Sequence, residues 1–432
     1  MIISDTAQYV LESLIKAGAD KASCSVTHSR KDEFNVEANE FSLLRTLFND
    51  TLQLKALCGG SKGVIVLNTL DKNSVDRAID DCISLASSAL PDQAEDIAEK
   101  EQNMCFDQNI GGADIDTLFV RTNDFMERLK GEFPKIVLEG MTSDFNASQS
   151  VYCNSNGVCF ESEREYYSFG TSFSAKDNEK SSSFNYFGAY LNSLSTPFMD
   201  IGIQRALLED SVKSLNTKMV NGKFVGKIVV TPSCDDMIWQ TLIDNFLGDS
   251  CMVQGTSRWK DALNTKVTDS KLTMRLSPLH PMIVAGERFT SDGYISNDTD
   301  LIKEGFLTSF ALSLYGSRKT GKPRALNTAF GNIEVASGDT SLSEIIKGID
   351  CGILLGRFSG GSPGPSGDVS GIAKNSFLIE DGVVKNALSE TMLSFNIVDI
   401  LQNIPAISKE RVGNGASLLP WCCFDGVTIS GK

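Results

Sequence analysis

A His- or Cys-based site for metal or nucleophilic chemistry in this 432-residue chain has only two histidines, His28 and His280, and eleven cysteines to draw on. His28 continues the alternation of Ala22, Cys24 and Val26, the period of a half-buried strand, and so reads as a sheet residue. His280 lies between Leu279 and Pro281, at a loop or strand start. A Cys–His pair needs one thiol within hydrogen-bond reach of the imidazole, and spacing singles out none. Cys422 and Cys423 are adjacent. On a strand they face opposite sides and cannot grip one ion together, so both read as small buried hydrophobes. Asp236 and Asp244 share a helical face but stand about 12 Å apart along its axis, beyond chelating distance. Gly316-Ser317-Arg318-Lys319-Thr320-Gly321-Lys322-Pro323 misses a P-loop at its last position, where magnesium requires a hydroxyl and Pro323 has none. Its basic residues read as a solvated loop. Gly59-Gly60-Ser61-Lys62-Gly63 has the composition of a phosphate loop, yet no helix opens after it, and it reads as a hairpin turn into Val64–Leu67.

The element that must position any such chemistry runs from Gly226 to Trp259. Lys227-Ile228-Val229-Val230-Thr231 reads as an apolar strand, and after Pro232 the spacing predicts a helix over 233–247. Ser233 is its expected N-cap, with Asp236 placed to reach back, and Asp235 and Asp236 complement the helix dipole. Ile238, Leu242 and Phe246 form one apolar row and Trp239, Ile243 and Leu247 the next, with Asp236, Gln240 and Asp244 opposite. Gly248 ends the helix, and Gly255-Thr256-Ser257-Arg258-Trp259 follows.

This strand, helix and Gly-Thr-Ser loop resemble the central element of the TldD/PmbA family, known as modulators of DNA gyrase. The resemblance implies that catalytic, TldD-type members carry H-E-x-x-x-H on this helix, with two imidazoles a turn apart on zinc and a Glu as general base. The corresponding segment here, Trp239-Gln240-Thr241-Leu242-Ile243-Asp244-Asn245, has neither His nor Glu. Trp239, Gln240, Asp244 and Asn245 are therefore degenerate motif positions, and no catalytic, cofactor or metal residue is expected. Asp249 resembles the acidic position after the motif. The segment matching the family's C-terminal zinc cysteine, Arg411–Leu419, has no Cys. This is the pattern of the non-catalytic PmbA/TldE branch.

The resemblance implies an α+β fold in two domains. Residues 1–218 would pair helices with an antiparallel sheet. Residues 219–432 would form a curved, barrel-like antiparallel sheet flanked by helices. It also implies a TldD-like metallopeptidase subunit as partner, zinc in that partner and none here, a peptide substrate, and a homodimer in isolation. Two other readings stand beside it: an independent hydrolase of cysteine or unrecognised-metal type, and a protein that binds DNA gyrase without proteolysis.

The formal charge of −15 argues against direct nucleic-acid binding, which depends on Lys and Arg neutralising phosphates. A hydrophobic content of 41% and a charged content of 22% are ordinary for a globular chain. No apolar run is long enough to span a membrane, no signal-peptide pattern opens the chain, and scattered cysteines fit reduced thiols in the cytoplasm.

Periodicity places helices at 5–17, at 114–130 and at 199–213, and one after a Ser74 cap. Gln93–Asn103 reads as a surface linker, and Asn156-Gly157 as a type I′ hairpin turn. Leu301–Leu307 and Leu378–Val384 each read as a strand, an acidic-Gly turn and a second strand. Ser341-Leu342-Ser343-Glu344 is a capping box. Gly356–Gly371 reads as a mobile or turn-dense loop, and 396–404 as a last helix.

Overall fold

A computed structural model describes residues 3–361, 363–389 and 391–431, with the side chains of Asp235 and Asp236 outside the description. The fold is α+β. Among the described residues an eight-stranded sheet occupies the first half of the chain and a fourteen-stranded sheet the second.

Long alternating segments build the first sheet. Lys21–Glu37 pairs antiparallel with Glu40–Cys58, through a turn at Ala38 and Asn39, both at positive φ. Ile136–Asn154 joins this hairpin along Lys21–Glu37 and pairs on its other side with Cys159–Asp177. Asn185–Leu191 then lies antiparallel along Cys159–Asp177. Helices Ile3–Lys16 and Lys72–Ser88 cover one end through Val10, Leu14, Val75, Ile79 and Cys82. Ile115–Glu132 covers a second region through Leu118, Phe125 and Leu129, the face its periodicity assigned, beside Leu207 and Leu208.

Several boundaries differ from expectation for local reasons. Asp71, not Ser74, caps Lys72–Ser88, its carboxylate accepting the Ser74 N–H at 3.0 Å. The helix expected over 199–213 is α-helical only over Gln204–Lys213, after a short 3-10 turn, Phe198–Asp200. The Asn156-Gly157 turn is not type I′, because only Gly157 has positive φ. Asn154 fixes it instead, its Oδ1 accepting the N–H groups of Asn156 and Val158 at 3.0 and 3.2 Å. Gln93–Asn103 is no free linker. Ala94, Ile97 and Ala98 are buried, Asp96 pairs with Lys21 and Arg318, and Glu95 pairs with Lys55 and Lys62.

In the second sheet Lys223–Val230 lies inside, parallel to Cys351–Leu355 and antiparallel to Leu418–Ser430. No strand pairing closes the sheet into a barrel among the described residues. The two acidic-Gly hairpins share one turn: Glu304 and Gly305, and Asp381 and Gly382, all have positive φ, as type I′ demands. The capping box at Ser341 forms on helix Leu342–Lys347. Gly356–Gly371 contains a strand, Arg357–Gly360, paired with Asp368–Lys374. The glycines there make room for an aromatic ring, since a Cβ on Gly360 or Gly371 would strike Phe358. Gly316–Pro323 is largely helix, Leu314–Thr320, stopped by Gly321 in the left-handed region. Its cations are not simply solvated: Lys319 Nζ lies 2.9 Å from Asp92.

Candidate functional site

The chain leaves the inner strand Lys223–Val230 into the segment where one helix was expected. Both apolar rows are buried as predicted: Ile238, Leu242 and Phe246 at 0% exposure, Trp239, Ile243 and Leu247 at 3% or less. The backbone between them is not one α-helix. A 3-10 segment, Pro232–Met237, breaks at Cys234. One α-turn follows, Trp239–Leu242, then a π-turn, Ile243–Leu247, and a short helix, Asp249–Val253. The π-turn closes with Gly248 N–H donating to Ile243 O at 2.7 Å. Gly248 has an extended backbone open to any residue, so its lack of a side chain matters for another reason: a Cβ would come 2.8 Å from that same carbonyl. Burial of both apolar rows overrides ideal helical winding here, and π-turns mark such compromises.

Ser233 lies inside the 3-10 segment and not ahead of one long helix. Its Oγ donates to Gly356 O at 3.2 Å, and its carbonyl accepts from Arg357 Nη1 at 2.8 Å. Asp236, expected on the polar face, has a side chain outside the described residues. The remaining positions separate. Trp239 enters the core, its ring 6.5 Å from that of Phe424. Gln240, Asp244 and Asn245 line a cleft of about 470 Å³ with Tyr186, Arg357 and Pro363. Within it Gln240 Nε2 donates to Asp244 Oδ1 at 3.0 Å, and Asn245 Nδ2 to Pro363 O at 3.0 Å.

Arg357 joins the two sheets at this cleft. Its guanidinium stacks on the Tyr186 ring at 3.6 Å and donates to Asn185 Oδ1 at 3.2 Å, to Ser233 O and to Tyr186 O. Tyr186 also walls a trough of about 710 Å³ on the first sheet, paved by Gly140, Gly170 and Gly188. Cleft and trough thus meet at one ring. The edge of Asn185–Leu191 faces the same way: Tyr186 O accepts from Arg357, and Tyr190 N–H donates to Asn414 O at 2.8 Å. Strand alternation gives the backbone of Gly188 that same outward direction. Neither Tyr186 nor Arg357 stood out in the sequence. The available signals were the alternation of Asn185–Leu191 and the presence of one cation, Arg357, in the Gly-rich stretch 356–371.

The other sequence candidates are accounted for by structure. His28 Nδ1 lies 2.7 Å from Asp50 Oδ1 on an exposed strand. His280 Nδ1 accepts the Met282 N–H at 3.1 Å. Asp249 accepts from Ser313, through the N–H at 3.0 Å and through the hydroxyl. Cys422 and Cys423 lie in different core clusters on opposite faces of Leu418–Ser430. Burial raises both thiols, Cys423 to about 12, which makes them poor nucleophiles. Among the described residues no group of three or more His, Cys, Asp or Glu side chains is arranged to hold a metal.

Residues 223–431 match a family model described as the PmbA/TldA metallopeptidase C-terminal domain. The chain is 27% identical over 167 residues to Metalloprotease PmbA of Escherichia coli O157:H7, a match covering 37% of each chain. It is 25% identical over 278 residues to the Metalloprotease PmbA homolog of Buchnera aphidicola subsp. Acyrthosiphon pisum, covering 63% of this chain and 60% of that one. The chain therefore spans 37% and 60% of the lengths of these two relatives. Its fold resembles the crystal structure of TldE from Thermococcus kodakarensis, with a TM-score of 0.83 at 19% identity, covering 99% of this chain and 100% of the other.

The relatives' names imply a metal, and the donor set here does not fit one. Among the described side chains of this segment, an indole offers no lone pair, two carboxamides are weak ligands, and a single carboxylate falls short of the three or four donors zinc requires.

Proposed function

Since the chain belongs to the TldD/PmbA family, we propose that it is a PmbA/TldE-like subunit that works beside a zinc-bearing, TldD-type metallopeptidase. One observation carries the reading. The segment resembling the metal motif presents Gln240, Asp244 and Asn245 to a cleft, bonded to one another or to backbone, and turns Trp239 into the core. In this reading no catalytic step runs through this chain's own residues. Its part is to bind and orient polypeptide.

Two surfaces support that part. The cleft and the glycine-paved trough meet at Tyr186, giving an extended path and not a closed pocket. The edge of Asn185–Leu191 turns the Gly188 backbone toward this path. Extended peptides bind such edges by adding a strand.

The test is preparative. Expressed and purified alone, the chain retains no stoichiometric zinc and leaves peptides uncut. Co-expressed with a related chain carrying H-E-x-x-x-H, it elutes in a complex that cleaves them. One zinc per chain together with peptidase activity of the isolated protein would overturn the proposal.

A further inference from the structure

The row of thiols at the end of the first sheet has no role in the cleft. Cys153 and Cys159 are direct cross-strand partners, and their Sγ atoms lie 3.0 Å apart. The register explains the approach. Asn154 N–H donates to Val158 O at 3.0 Å, closing the turn, so the next pair inward is a non-hydrogen-bonded one. At such pairs the side chains come closest, with Cα atoms about 4.5 Å apart. Cys159 N–H accordingly points away from its partner strand, to Asn103 Oδ1 at 2.9 Å. Disulfides accept Cα separations of about 4.4–6.8 Å, so these two thiols can join without backbone movement. Both are partly exposed, whereas Cys24, opposite Cys153 on the next strand, is buried and donates to Ala7 O at 3.1 Å.

We propose that Cys153 and Cys159 form a reversible oxidation site, converted by hydrogen peroxide to a cross-strand disulfide and restored by small thiols. The Cys159 thiolate attacks the peroxide. An S–O bond forms, the O–O bond breaks, and one water leaves. Cys153 then attacks the resulting sulfenic acid. The S–S bond forms, the S–O bond breaks, and the second water leaves with the remaining thiol proton. Two thiols are oxidised by two electrons in all, and one peroxide is reduced to two waters. Reduction runs by thiol exchange, two equivalents of thiol leaving as their disulfide. Cys153 stands on the inner strand, flanked by Cys24 on one side and Cys159 on the other, which assigns it the second, resolving step; burial, then the hydrogen bond to Cys159, also raises its thiol above the usual range. The bridge stiffens the turn whose Asn154 and Asn156 side chains hold Ala98 O at 3.1 and 2.8 Å.

The folded full-length protein is treated with limiting hydrogen peroxide, alkylated, and digested with trypsin without reduction. No Lys or Arg separates the two cysteines, so one peptide ending at Arg164 carries both. The expected product is that peptide lacking two hydrogens and refusing alkylation, with both thiols recovered after dithiothreitol. Cys153→Ser and Cys159→Ser, tested separately, each abolish the bridge, while Cys105→Ser and Cys351→Ser leave it intact. A peptide that stays doubly alkylated, or gains oxygen without losing the thiol pair, overturns the proposal.

Discussion

Arg357 does at one position what several weaker contacts would be needed to do. A guanidinium has five fixed donors, and here they reach a side-chain amide and two backbone carbonyls while its flat face covers Tyr186. Arg357→Ala strands the carbonyls of Ser233 and Tyr186 and uncovers the ring. The expected loss is about 2–3 kcal/mol, read as a lower midpoint in urea at unchanged slope. Arg357→Lys should recover only part of it, because a point charge cannot stack and fork together. A midpoint unchanged in the alanine variant would remove Arg357 from its place as the joint. Gly382 offers a second test at this scale. It sits at φ 73°, and a Cβ there would meet Lys347 O at 2.8 Å. Gly382→Ala should cost about 1–2 kcal/mol for the left-handed backbone alone, against no more than a few tenths for Gly361→Ala, where nothing lies within 4 Å.

Among elements, the segment at 92–98 behaves as a strap. Asp96 bonds to Lys21 Nζ at 2.6 Å and pairs with Arg318, Tyr315 Oη reaches Asp92 Oδ2 at 3.1 Å, and Ala98 N–H donates to Asp292 O at 3.0 Å. The strap thus links the first sheet to helix Leu314–Thr320. Asp96→Ala should speed tryptic cleavage after the exposed Lys100 severalfold at neutral pH, with Asp50→Ala as the control that does not; equal rates would mean the strap holds without its charges. Acid should loosen it in the same direction. Burial raises the Asp96 carboxyl, but Lys21, the Ile97 N–H and Arg318 outweigh it, and the net shift is downward. A carboxyl lowered on folding stabilises fully above its unfolded value, about 3.9, and that stabilisation disappears as pH falls through the folded value. Amide exchange at Ala98, corrected for intrinsic rates, should hold steady from neutrality down to about pH 4 and rise below it.

For the whole molecule, the question is whether the two sheets act as one body. Tyr152 Oη donates to Asp292 O at 3.0 Å, Arg164 Nη2 to Val284 O at 2.8 Å, and the Phe160 and Phe289 rings pack at 5.1 Å. Together with Arg357 and the strap, these contacts predict a single unfolding transition. All three tryptophans, Trp239, Trp259 and Trp421, lie in the second half. Their fluorescence should therefore follow that half alone, while far-ultraviolet circular dichroism follows both. Coincident urea curves fit one cooperative unit; separated curves would show that the sheets unfold independently. The net charge of −15 makes a second prediction at this scale. Duplex DNA should show no anisotropy change with the isolated chain at physiological salt, and a steeply salt-dependent affinity would contradict it.

The sequence by itself determined what depends on neighbours along the chain. The two apolar rows at 238–247, the Ser341 capping box, the inward face of Ile115–Glu132 and both acidic-Gly hairpins follow from period, cap chemistry and the positive φ that type I′ turns demand. It also settled that no imidazole could occupy the central segment. Tertiary structure decided what depends on residues far apart. Periodicity reports which side chains are buried, not how the backbone winds to bury them, so the break at Cys234 and the π-turn were invisible. A charged stretch such as 92–98 looks solvated until its partners arrive from 21, 55, 62 and 318. Tyr186 and Arg357 are 171 residues apart, and no local pattern can show that one covers the other, because only the docking of two sheets brings them together.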